Sequence, residues 1–354
     1  MSRALDPVVI AALKAGDHAQ IYKDISLALL AIDAPCEIEI LWPGFPLGPD
    51  QNVLREDGAL GVPQLRLVQA FFVARQIFFD QASGSRASTP DEIRAATAVI
   101  LLMDSEHLTA TNARKRLLLA ELDRLAHTDT CSAEDLFRRE MCYMDTLLTS
   151  PLHRHTKSPV LWSHRRWLVQ EQSRRGIHQS AALVEDAICR VIMVAGEKHP
   201  RNYYAWTHAR WLLGLVRQQP RRSGRGNSQP TSRVRDESGP ELEGHDAARS
   251  ADVDQDDDAV FEDLVVCVRS WCYRNYSDVS GWSFLLHIMG SCGGHDSELA
   301  HRMREEVSMV AERMRWRNES VRWFLDMAAQ HHGAALGHVP GSTESHATST
   351  SIDA

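Results

Sequence analysis

Apolar residues recur along this chain at the three- and four-residue steps of an α-helix, and the pattern predicts pairs of amphipathic helices. From Ser180 to Val194, residues Leu183, Ala187, Val191 and Val194 fall on one helix face. The stretch from Asp135 to Leu148 has the same character. Each is followed by a second helix with a legible start. Ser158-Pro159 sets a capping hydroxyl ahead of a proline in the first turn, and Asn202 follows Pro200-Arg201 as another cap. The predicted unit is a helix-turn-helix hairpin.

Two of these second helices share a motif. Trp162-Ser163-His164-Arg165-Arg166-Trp167-Leu168 and Trp206-Thr207-His208-Ala209-Arg210-Trp211-Leu212 both read W-x-H-x-R-W-L, 44 residues apart. That interval belongs to helical-pair repeats and differs from the 34-residue tetratricopeptide signature. Trp162 and Arg166, like Trp206 and Arg210, stand four residues apart and share a face, so each pair is expected to stack as packing between repeats. Weaker copies follow from the template. Leu108 to Lys115 places Thr111 where the Trp would be, Ser277 to Trp282 keeps the Trp but continues into Phe284-Leu285-Leu286, and Asn318-Glu319-Ser320 opens a last helix carrying Trp323. The expected fold is all-α, an alpha-alpha superhelix or solenoid of about five helical-hairpin repeats, degenerate at the ends where a repeat has one neighbour.

The organisation expected on this basis is an N-terminal helical cap over 1–90, repeats 1–3 over 91–216, an insert at 217–258, repeats 4–5 over 259–332 and a tail at 333–354. In the cap, Tyr22 to Ile32 and Leu65 to Phe79 read as helices around the Pro- and Gly-rich stretch from Pro43 to Gly61. The insert passes from Arg217-Gln218-Gln219-Pro220 to the acidic run Asp252 to Asp258. Like the Gly-, Ser-, Thr- and His-rich tail, it holds too little apolar surface to order itself and is expected to be disordered.

Composition narrows the functional classes. With 354 residues and 44% hydrophobic content the chain can bury a substantial core, and a formal charge of −8 repels nucleic acid and anionic membrane surfaces. No nucleic-acid partner is expected. Seven cysteines, scattered and odd in number, read as structural thiols of a reducing compartment. No CxxC or HExxH spacing occurs, so no metal site is expected in this chain. Without the apolar core of a signal peptide or a transmembrane segment, the expected location is cytoplasmic. No cysteine stands four from the C-terminus, so the chain is not expected to accept a lipid there itself.

The segments Lys157 to Leu168 and Arg201 to Trp211 resemble the repeats of protein prenyltransferase alpha subunits, and Asn318-Glu319-Ser320 resembles the opening of that family's last repeat, with Arg322 in place of its Trp. Within the family, Lys157-Ser158-Pro159, Tyr22-Lys23-Asp24-Ile25, Leu60-Gly61-Val62 and Ser277 to Gly281 look like the alpha subunits of type III geranylgeranyltransferases. The resemblance covers roughly residues 20 to 330, apart from the insert. It implies a crescent of hairpins around a beta subunit of the Rab geranylgeranyltransferase type, which would carry the zinc and the isoprenoid pocket; this chain would need no cofactor. It also implies geranylgeranyl diphosphate at the subunit seam and a cysteine-containing protein substrate such as a SNARE.

By that resemblance Lys157 would offset charge on the diphosphate leaving group, although the aromatic residue expected two positions later is Pro159. The alternative for Lys157 is a solvated lysine ahead of a helix cap. Tyr203 matches the family's tyrosine, with Tyr204 replacing the histidine often found next, and either faces the active site or packs; packing is the favoured reading. Arg201 joins Lys157 and Tyr203 as a candidate seam residue. His164 and His208 recur with the repeat, which suits inter-repeat or partner contacts better than catalysis. Trp162, Arg166, Trp206, Arg210 and Trp282 are assigned to repeat packing. Two functions compete: a required, zinc-free transferase subunit with no activity alone, and a non-enzymatic repeat scaffold for protein-protein interaction.

Overall fold

The computed structural model describes residues 7–48, 51–85, 87–125, 130–177, 179–218, 246–291 and 298–335. The chain forms two compact units, Met1–Trp271 and Cys272–Ala354.

The first unit opens with α1 (Pro7–Lys14), α2 (His18–Leu30), a small sheet and α3 (Gln64–Ala82). Asp17 caps α2 by accepting from the backbone of Ala19 and Gln20. The sheet lies between the two helices read from the sequence, where a Pro- and Gly-rich stretch was expected. Its strand order is β1-β3-β2, with β1 (Glu37–Leu41) parallel to β3 (Ala59–Pro63) and β2 (Leu54–Glu56) antiparallel to β3. The reasons are local. Glu37-Ile38-Glu39-Ile40 alternates polar and apolar residues, burying Ile38 completely. The β2-β3 turn is Asp57-Gly58, with φ of 46° and 80°, the two left-handed positions a tight hairpin demands.

Hairpins follow. The helices are α4 (Pro90–Met103), α5 (Leu108–Leu125), α6 (Thr130–Leu148), a short α7 (His153–Thr156) and α8 (Pro159–Arg174). After them α9 (Ala181–Ala187) widens into a π-turn at Ile188–Ile192 before α10 (Met193–Lys198) and α11 (Tyr203–Gln218). Thr89 and Glu92 close a reciprocal capping box at the start of α4, whose residues from Ala95 to Leu102 are all buried.

The next helix, α12 (Asp246–Arg274), begins inside the expected insert, and the boundary between the two units falls within it. Its apolar spacing, Phe261, Leu264, Val265 and Val268, is helical, and all four are buried. Residues 219–245 of the insert and 336–354 of the tail lie outside the described residues.

In the second unit α13 (Val279–Ser291), α14 (Glu298–Arg313) and α15 (Glu319–Ala335) enclose Trp282 and Phe324, whose ring centroids are 5.0 Å apart. Leu299, Met303, Val307 and Ala311 form the buried stripe of α14. In α15 the core aromatic is Phe324, while Trp323 is half-buried and Arg322 exposed.

Candidate functional site

The repeat is built on one hydrogen-bond scheme. A polar residue four positions before each Trp, or its replacement, caps the second helix of the hairpin. Ser158 Oγ accepts from Leu161 N at 3.1 Å, Asn202 Oδ1 from Ala205 N at 3.2 Å and Asn318 Oδ1 from Val321 N at 3.3 Å. In the first hairpin His107 takes this part, its Nδ1 accepting from Ala110 N at 3.1 Å. Capping thereby satisfies amides that the helix start leaves open.

The same caps tie hairpins together. Ser158 Oγ donates to Ser105 O at 3.1 Å, Asn202 Nδ2 to Thr156 O at 2.9 Å and, in the second unit, Asn318 Nδ2 to Tyr276 O at 2.6 Å. The indoles use those acceptors too, with Trp162 Nε1 on Thr156 O at 2.8 Å and Trp282 Nε1 on Tyr276 O at 2.9 Å.

A buried ionic ladder runs beside this scheme. Arg114 of α5 grips Glu140 of α6 through two bonds of 2.8 and 2.7 Å, and His164 Nε2 meets the same carboxylate at 2.9 Å. Arg165 holds Asp145 through Nε at 2.6 Å and reaches His208 Nε2 through Nη1 at 3.0 Å. Burial is the largest influence on both histidines and keeps them below their ordinary value; Arg165 adds to this at His208. His208 is therefore neutral and accepts from the guanidinium. His164 is fully buried and His208 nearly so, which places both between hairpins rather than on an open face.

The expected stacking of Trp162 on Arg166 is replaced by stacking between hairpins. Arg166 lies 4.6 Å from the ring centre of Trp211, and Lys115 lies 5.3 Å from that of Trp167. Residues on one helix face at i and i+4 are neighbours, but Trp162 is buried while Arg166 is exposed, so the guanidinium turns to the next hairpin. Arg210 Nη1 reaches Trp206 O at 3.5 Å, and Trp206 packs against Trp271 with centroids 5.0 Å apart.

The remaining sequence candidates gather at the loops leading into α8 and α11. Lys157, half-exposed, donates from Nζ to Pro200 O at 2.9 Å, beside Arg201. Arg201 is exposed with φ of 59°, a conformation costly for a residue with a side chain. Tyr203 is 69% exposed and meets exposed Tyr204 edge-on at 5.9 Å, so neither serves as core packing. His199 packs edge-on against His153 at 5.1 Å and bonds Pro151 O at 3.0 Å. Partial burial, and after it His153, Lys157 and Lys198, lowers its proton affinity. An exposed, basic and aromatic surface of this kind suits an anion or an acidic protein surface.

Among the described residues no group of three His, Cys, Asp or Glu is placed to hold a metal ion, and no helix is long and apolar enough to cross a membrane. The sequence motif did not point to Glu140, Asp145 or His107. The two acids sit on the first helix of the hairpin, outside the W-x-H-x-R-W-L run, and only their place on the amphipathic α6 hinted at pairing.

Comparison with known proteins agrees with this architecture. Residues 189–216 match the protein prenyltransferase alpha subunit repeat. The chain is 28% identical over 133 residues to protein prenyltransferase alpha subunit repeat-containing protein 1 of Danio rerio, covering 33% of this chain and 27% of that protein. It is 30% identical over 138 residues to the Homo sapiens protein of the same name, covering 35% and 30%. The chain thus spans less than a third of the length of the curated relatives it matches.

Proposed function

We propose, from the prenyltransferase alpha subunit repeat matched at residues 189–216 and the similarity to the repeat-containing relatives, that the chain is the alpha, non-zinc-carrying subunit of a heterodimeric protein geranylgeranyltransferase. In this reading it binds a beta subunit of the Rab geranylgeranyltransferase type and helps position a cysteine-containing protein substrate, such as a SNARE, and geranylgeranyl diphosphate. Zinc in the beta subunit would supply a thiolate from the substrate cysteine. This chain's own part would be cationic. Lys157, with Arg201 beside it, would face the diphosphate as the carbon-oxygen bond breaks, and Tyr203 would line the seam.

The observation that carries the proposal is the rim where half-exposed Lys157 meets exposed Arg201, Tyr203 and Tyr204. A chain with net charge −8 has little reason to concentrate cations and open tyrosines at one set of loops unless something anionic meets them. One observation favours the scaffold reading instead: Lys157 Nζ already bonds Pro200 O. A transferase subunit must release that bond when diphosphate arrives, and a scaffold has no such need.

The test is a transfer assay. The chain is co-expressed with a Rab-type beta subunit, and labelled geranylgeranyl transfer from the diphosphate to a protein cysteine is followed. Transfer that requires both chains supports the proposal. A stable complex that transfers nothing gives the scaffold reading the lead.

A further inference from the structure

Two thiols on separate helices meet in the first unit. Cys189, in the π-turn Ile188–Ile192, and Cys267, in α12, lie with their sulfurs 3.3 Å apart. Both are half-buried, so solvent reaches the pair, whereas Cys142 and Cys272 are buried. From this geometry we propose that Cys189 and Cys267 form a reversible disulfide site, oxidised by exchange with a small-molecule disulfide.

The fold supports the pairing from both sides. A π-turn inserts an extra residue into the helix, a distortion common at functional positions. Here Ile188, Val191 and Ile192 stay in the core while Cys189 comes to the surface of the turn beside Cys267. One turn after Cys267, Trp271 Nε1 donates to Met193 O at 3.1 Å and its ring packs on Trp206. The two segments are therefore already docked before any bond forms. The sulfurs, 3.3 Å apart, stand close to the roughly 2.05 Å of a disulfide bond.

The chemistry balances with oxidised glutathione. Burial, the neighbouring Cys267 and the acids Glu185 and Asp186 push the Cys189 thiol up. One of the two cysteines attacks first, as thiolate. It bonds one glutathione sulfur and expels the other glutathione as thiolate. The other cysteine next gives its proton to solvent, attacks the sulfur of the first and releases the second glutathione. Two protein thiols lose two electrons and two protons, and one glutathione disulfide becomes two thiols. The new bond would staple the π-turn to α12 and enclose α11, which carries Tyr203.

The full-length chain, incubated with oxidised glutathione and then alkylated and digested, tests this directly. The expected result is one peptide pair joining Cys189 to Cys267, reversed by dithiothreitol. The wild type should melt at least about 5 °C higher when oxidised, as closing a long loop predicts. Cys189→Ser and Cys267→Ser should each lack the shift while melting near the reduced wild type. Glutathione retained on a single cysteine, a different cysteine pair, or an equal shift in Cys189→Ser would overturn the proposal.

Discussion

Trp162 and Asn202, from consecutive hairpins, donate to one acceptor: indole Nε1 at 2.8 Å and amide Nδ2 at 2.9 Å both reach the carbonyl of Thr156. A Trp placed four residues after a polar cap is therefore more than apolar filling. The indole secures its own hairpin, and the next cap secures the hairpin that follows. Ser158 with Ser105 and Asn318 with Tyr276 repeat the logic.

Asn202 separates two contributions that alanine would merge. Asn202→Asp keeps an oxygen to cap Ala205 N but loses the donor to Thr156 O, whereas Asn202→Ala loses both. Chemical denaturation should find the aspartate less stable than wild type and the alanine lower by a further ~1 kcal/mol. Equal stability of wild type and Asn202→Asp would mean that the bond to Thr156 contributes nothing.

Stability at low pH should report on Glu140. Burial by itself would raise this carboxyl, but Arg114 and His164 outweigh it and hold Glu140 well below the usual carboxylate range. A depressed folded value stabilises the fold above the ordinary 4.5 and loses that contribution as pH falls from there toward the folded value. Below pH 4.5 the unfolding free energy should drop, with up to about 1.4 kcal/mol per pH unit due to this residue. Glu140→Gln leaves Arg114 buried without its anion and should cost about 3 kcal/mol at pH 7, with a shallower acid slope. Urea titrations at stepped pH measure both.

Gly196 sets two opposing effects against each other. Alanine is the better helix former by roughly 1 kcal/mol. Yet a Cβ at this position would stand 3.1 Å from Trp271 Cζ2 and 3.4 Å from Trp206 Nε1, in the contact between two fully buried indoles. Packing should win, and Gly196→Ala should lower stability by about 1–2 kcal/mol. A rise in melting temperature would show that the indoles yield.

Lys157 is the residue on which the catalytic reading depends. In a reconstituted heterodimer, Lys157→Ala should reduce geranylgeranyl transfer at least about tenfold while leaving complex formation intact. Unchanged turnover would reduce Lys157 to its bond with Pro200 O.

The hairpins were legible in the sequence because both caps and Trp residues keep a fixed interval, and caps act locally. Contacts between hairpins were not. Arg166 stacks on Trp211 rather than on Trp162, because which face of a helix is open depends on the neighbour packed against it. The acids Glu140 and Asp145 escaped for the same reason: they belong to a helix with no motif of its own. The small sheet had a visible signal in Glu37 to Leu41 and in Asp57-Gly58, overridden by the Pro and Gly content around it. At the rim, Lys157, Arg201 and Tyr203 could be named from resemblance, but His153 and His199 enter only through the fold.

The central claim is that these hairpins bind a prenyltransferase beta subunit, and gel filtration of the tagged chain after co-expression with a Rab-type beta subunit tests it most directly. A stable one-to-one complex is the predicted result. Elution of this chain folded and alone, with the beta subunit left behind, would contradict it.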